Sequence, residues 1–167
     1  HFLHYAGQVE GEGRDVMING RSAGTIALSG KTENQQLNIT LTSGLLGPPQ
    51  VVAANINLAS PSLAARVETT FTNADLTNLF QIAMPASAVR LSGTVNGTIK
   101  AEGNLLDDDE NFSLAGLSGT ANFSELSFRV EDVQLSATTP LVVRFTPNEV
   151  TFDSARFTGP GTNIVLD

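Results

Sequence analysis

The chain has 167 residues, of which 41% are apolar and only 16% charged, with no cysteine and no tryptophan. An average soluble domain is about 25% charged, so Ser, Thr, Asn and Gly must cover this surface, a mixture that suits strands and turns and leaves helix rare. A net charge of −8 and a pI ≈ 4.6 supply no basic stripe for a phosphate backbone and argue against nucleic acid as a partner.

In chain order, Phe2 to Ala6 already read as strand, and Asn163 to Leu166 do so at the other end. Both suggest a piece cut from a longer parent, either one domain or a section of a continuing sheet. His1-Phe2-Leu3-His4-Tyr5 lacks the basic start and apolar core of a signal peptide, and no segment reaches the roughly 18 apolar residues of a membrane helix. Gly11-Glu12-Gly13 reads as a turn.

Strict alternation then begins, placing every second side chain on one face of a strand. Leu37, Ile39 and Leu41 alternate with Asn38, Thr40 and Thr42, and Val52, Ala54, Ile56 and Leu58 with Ala53, Asn55 and Asn57. After the turn at Pro61-Ser62, Leu63, Ala65, Val67 and Phe71 oppose Ala64, Arg66, Glu68 and Thr70. The period changes over Ala74 to Ala83, where Leu76, Leu79, Phe80 and Ala83 fall at helical spacing behind Asn73 or Asp75 as N-cap, with Pro85 as the stop.

The longest alternating run follows, with Val89, Leu91, Val95, Ile99 and Ala101 on one face and Gly93, Gly97 and Gly103 in the same register, where glycine suggests bends or bulges. A polar turn at Asp107 to Asn111 precedes strands near Gly119 to Phe123, Leu126 to Val130, Val133 to Ala137, Leu141 to Phe145, Val150 to Phe152 and Asn163 to Leu166, punctuated by Thr139-Pro140, Thr146-Pro147-Asn148 and Gly159-Pro160-Gly161. Leu28-Ser29-Gly30, Leu91-Ser92-Gly93 and Leu117-Ser118-Gly119 recur at unequal spacing, a repeated way of bending a strand rather than a solenoid rung.

Chemistry-bearing groups are sparse. His1 and His4 share a strand face but have no third metal ligand near them in sequence. Asp107-Asp108-Asp109-Glu110 lacks the alternate spacing and central glycine of a calcium loop and reads as a solvated hairpin tip. Cysteine and a G-x-S-x-G motif are absent, which removes the usual nucleophiles. Carboxylate pairs such as Glu10 with Glu12 or Glu131 with Asp132 could serve a glycosidase, but one tyrosine and no tryptophan leave little to stack on a sugar. The expectation is a protein that is not an enzyme and that uses neither cofactor nor metal. Four Asn-x-Ser/Thr sequons start at Asn38, Asn96, Asn111 and Asn122, a number that chance supplies in so Asn- and Ser-rich a chain. Phe123, Phe128, Phe145, Phe152 and Phe157 are read as core ahead of groove lining.

From Ala74 onward the chain resembles the TamB branch of the AsmA-like envelope proteins of diderm bacteria. The likeness is carried by Asp75-Leu76-Thr77-Asn78-Leu79, by Leu91-Ser92-Gly93-Thr94-Val95-Asn96-Gly97 leading to Glu102-Gly103-Asn104-Leu105, by Leu117-Ser118-Gly119, and by the closing segments Asn148 to Phe152 and Gly159 to Leu166. Residues 1–73 share the alternating style without that signature, so the chain reads as one continuous section with possible sub-units 1–73 and 74–167. The resemblance implies an all-β, elongated, strongly curved and mainly antiparallel sheet folded like a trough, with an apolar interior and one short helix. It implies a periplasmic location, an inner-membrane anchor on the parent, an Omp85-type (TamA-like) outer-membrane partner, and a role in moving phospholipid or assisting outer-membrane protein substrates, with no catalytic residues.

The residues expected to line the groove for phospholipid acyl chains are Leu37, Ile39, Leu41, Val52, Ile56, Leu58, Leu63, Val67, Phe71, Leu91, Val95, Ile99, Leu141, Val143, Phe145, Val150 and Phe152. Two further readings stand beside it: a scaffold that offers sheet edges to outer-membrane strands, and a closed sandwich or solenoid of a surface adhesin. The last requires the apolar face to be packed against opposing side chains.

Overall fold

A computed structural model describes residues 6–18, 21–83, 91–107 and 109–166. It is all-β apart from one short helix. The strands are β1 (Gly7–Ile18), β2 (Arg21–Glu33), β3 (Gln36–Ser43), β4 (Gln50–Asn57), β5 (Ala64–Asp75), β6 (Leu91–Asn104), β7 (Leu117–Val130), β8 (Val133–Ala137), β9 (Leu141–Phe145), β10 (Val150–Phe152), β11 (Ala155–Gly159) and β12 (Thr162–Leu166). The helix α1 (Leu76–Ala83) lies between β5 and β6. The strands form one open sheet in the order β1-β2-β3-β4-β5-β6-β7-β8-β11-β12, with β9 and β10 branching from β7. Each of its ladders is antiparallel.

Local chemistry sets the turns. Asn34 and Gln35 both take left-handed φ values, 49° and 62°, the geometry of the two-residue turn whose twist matches a hairpin, here joining β2 to β3. Leu63 also has a left-handed φ of 51° and lies just before β5 rather than in it. Leu58 likewise follows β4, its N–H donating to Gln35 O at 2.8 Å. The helix starts at Leu76, two residues after Ala74, because of the two expected N-caps it is Asp75 whose carboxylate accepts the Thr77 N–H, at 2.7 Å. Pro85 and Val89 lie outside the described residues, as do His1, His4 and the Phe2 to Tyr5 segment.

Two sequence expectations are corrected. Gly11-Glu12-Gly13 is not a turn but the middle of β1, paired with Leu28, Ala27 and Ile26 of β2. The segments Gly119 to Phe123 and Leu126 to Val130 are not two strands but parts of β7, which passes through a bulge between Phe123 and Glu125. The bulge absorbs Ser124 and switches side-chain parity, so Phe123 and Leu126 fall on the same face.

The β6 and β7 backbones approach each other closely along the glycines expected to bend the sheet. A Cβ on Gly97 would lie 2.3 Å from Asn122 O, and one on Gly119 only 2.1 Å from Lys100 O. No side chain fits at either place, so glycine is required there by contact.

While Ala65, Ala74, Val95, Ala101 and Leu105 are buried elsewhere in the sheet, a buried apolar cluster sits at the fork where β7 pairs with β9 through Gly119 to Phe123 and with β8 through Ser127 to Val130. Leu135, Ala155 and Phe157 are buried there, flanked by Leu126, Phe128, Ala137 and Leu141. The Phe128 and Phe157 rings meet edge to face with centroids 5.5 Å apart. Apart from α1 against β6, extensive contacts between elements join hydrogen-bonded neighbours.

Candidate functional site

Register converts the alternating sequence into a surface, because directly paired residues in antiparallel strands share a face. Leu37 pairs with Ile56 and Leu41 with Val52. Ile56 pairs with Ala65, and Ala54 with Val67. Val67 continues to Ala101, Thr69 to Ile99 and Phe71 to Gly97. Beyond these, Ile99 meets Ala121, and Leu91 meets Val130. On the β9 branch, Phe123 pairs with Leu141, Ala121 with Val143 and Gly119 with Phe145, which lead to Phe152 and Val150 on β10. The strand residues predicted to line a groove thus lie on one face of one sheet, Val95 included. Leu58 and Leu63 flank that face at the turn between β4 and β5.

Sequence reasoning missed the extensions of this face at both ends. Val9 opposite Gly30, Leu28 opposite Leu41, and Ile26 carry it across β1 and β2. Leu135, Phe157 and Ile164 carry it across β8, β11 and β12. In β1 the signal is hidden because Gly7, Gly11 and Gly13 hold most of the apolar register.

The face is only partly covered. Among the predicted lining residues Val95 alone is buried, at 5% exposure, whereas Val150 and Phe152 are 67% and 46% exposed and the remainder are half-buried. The predicted phenylalanine core divides accordingly: Phe157 is buried and Phe128 packs beside it, while Phe123 and Phe145 remain half-buried. Polar groups on the face are satisfied internally. The Thr69 hydroxyl donates to Val51 O at 2.9 Å. Gln50, 6% exposed, donates from Nε2 to Pro48 O and Thr72 O and accepts the Thr72 N–H at Oε1. Its amide thereby stands in for ladder bonds beside the β5 bulge between Phe71 and Ala74.

Charge gathers on the opposite face. Arg66 pairs with Glu102 at 3.1 Å and Lys100 with Glu68 at 3.0 Å, each directly across a ladder. Arg144 holds Asp153 through two contacts of 2.5 and 3.1 Å. That hydrogen-bonded pair lowers the Asp153 carboxyl below its usual range and raises Arg144. These pairs are exposed and worth little individually, but they keep ions off the apolar side. A depression of ≈ 620 Å³ lies on the polar face between the rows bearing Arg66, Glu68, Lys100, Glu102 and Arg144, and another of ≈ 740 Å³ lies beside it near Asn55 and Asn104. The first is also lined by Val67, Ala101 and Phe145, so its walls mix charged and apolar groups.

The acidic turn is organised by Asp107, whose Oδ1 accepts the N–H groups of Asp109 and Asn111 at 3.0 and 2.9 Å. No metal-competent grouping of His, Cys, Asp and Glu occurs among the described residues, and no described helix is long and apolar enough to cross a membrane. Comparison with protein-family models, curated proteins and solved structures returns no match for this chain.

Proposed function

We propose that this chain is a non-enzymatic, periplasmic section of a TamB-like protein whose apolar sheet face forms a trough that shields phospholipid acyl chains between the two membranes of a diderm cell. The observation that carries the reading is the largely half-exposed apolar face, continuous through the register. Each acyl CH₂ buried against such a face contributes about 0.8 kcal/mol, and the charged rows on the reverse keep that side wetted. The glycine contacts between β6 and β7 support curvature toward the apolar side, since Gly97 and Gly119 both occupy the apolar register.

In this role the parent is anchored in the inner membrane and works with a TamA-like outer-membrane partner. Leu37, Ile39, Leu41, Val52, Val67 and Ile99 stay half-exposed, which disfavours a closed adhesin sandwich. The test is native mass spectrometry, with thin-layer chromatography of extracts, on protein purified from membranes. Phospholipid is expected to travel with the chain; its absence across several detergents would sink the proposal.

A further inference from the structure

The irregularities of the sheet fall on one line. Pairing sets Gly13 level with Ile26, Ser43 and Gln50, and Phe71 level with Gly97, Phe123 and Leu141. Because Val51 pairs with Thr70, Gln50 and Phe71 stand at the same height, so a single transverse row runs from β1 to β9. On the side holding the β2–β3 turn, the described ladders run without a register shift.

Immediately beyond the row, the pairing breaks in each strand that reaches it. Arg14 and Asp15 of β1 oppose Thr25 alone, with Asp15 at a left-handed φ of 53°. β3 ends at Ser43 and β4 begins at Gln50. Thr72 and Asn73 of β5 together oppose Asn96, Ser124 is the extra residue of β7, and β7 exchanges β9 for β8. A bulge in one strand kinks that strand against the resistance of its neighbours. Where the interruptions share one height, the neighbours offer no such resistance, and the sheet bends most easily there.

We propose that this line is a hinge about which α1, β8, β11, β12 and the adjoining ends of β6 and β7 tilt as one body, with Asn96 as its latch. That body has packing of its own in Leu135, Ala155 and Phe157 with Leu126, Phe128 and Ala137, and Leu141 meets the cluster from the row itself. Asn96 bridges the two bulges beside it. Its Oδ1 accepts the Asn73 N–H at 2.5 Å, its Nδ2 donates to Glu125 Oε2 at 2.5 Å, and its backbone O accepts the Ser124 hydroxyl at 3.4 Å. Asn73, Ser124 and Glu125 are exposed, so water can replace these bonds as they open, while the regular ladders on the other side hold their shape. Since paired residues share a face, tilting changes the angle between the half-exposed apolar face and the packed end beyond it. The hinge does not depend on what covers that face.

Because the chain has no cysteine, spin labels can be placed cleanly and their separation read by double electron–electron resonance. Ser29→Cys with Asp132→Cys spans the line, whereas Ser29→Cys with Thr120→Cys lies on one side of it, and the three positions are exposed. The spanning pair is expected to give a broad distance distribution and the other pair a narrow one. Asn96→Ala should shift the spanning distribution and leave the other unmoved. If that variant loses strand signal in far-UV circular dichroism, Glu125→Ala removes a single bond of the latch and should shift the distribution in the same direction. A narrow spanning distance that no folded latch variant moves overturns the hinge. An equal change in both pairs also overturns it, because the sheet would then flex throughout.

Discussion

Gln50 illustrates how one side chain can carry a backbone irregularity. β5 bulges between Phe71 and Ala74, leaving the Thr72 N–H and C=O without a regular ladder partner, and the Gln50 amide meets both. A leucine of similar size would keep the apolar contact but strand those two groups away from water. Gln50→Leu is therefore expected to cost about 1–3 kcal/mol, read as a lowered urea midpoint with unchanged slope, whereas a change under a few tenths would show the amide to be dispensable. Asn73, at φ 49° in the same bulge, takes a left-handed conformation that asparagine tolerates better than most residues. In sequence Gln50 looks like a polar interruption before an alternating run, and nothing local announces the bulge it serves.

At the level of elements, legibility followed the chemistry of the repeat. β3, β4 and most of β5 were readable because Val, Ile and Leu alternate with Asn and Thr, and α1 because its helical spacing sits behind an aspartate able to cap it. β1 was lost because glycine occupies its apolar register. The continuity of β7 was lost because Ser124 shifts parity without any turn residue to mark it. The fork was unreadable for a different reason: whether β8 or β9 pairs with a given half of β7 is decided by non-local packing. That packing has an identifiable centre in Phe157, which touches the ring of Phe128 and closes the cluster with Leu135 and Ala155. Phe157→Ala should destabilise the fork by about 3–5 kcal/mol. Hydrogen exchange should then rise in β8, β11 and β12 before β3 to β5, and uniform exchange across the sheet would contradict a local core.

For the whole molecule, two isoleucine- and valine-sized residues on the same face of β6 distinguish a conduit from a core. Val95 is 5% exposed and lies opposite Leu126, beside Ala74, which is 1% exposed where β5 runs into α1. Ile99, four residues on, is half-buried between Thr69 and Ala121. An aspartate at 95 would strand a carboxylate among packed side chains, so Val95→Asp should cost more than about 4 kcal/mol and abolish the cooperative transition. At 99 the carboxylate can reach water, and the loss should be about 1–2 kcal/mol, near that of a partly buried isoleucine. If acyl chains lie along this face, Ile99→Asp remains folded by circular dichroism yet loses co-purifying phospholipid, because a charge would have to be desolvated beneath each chain. Equal unfolding by both substitutions would mean that the face is an ordinary core; a folded Ile99→Asp variant that retains its lipid would place the lipid elsewhere.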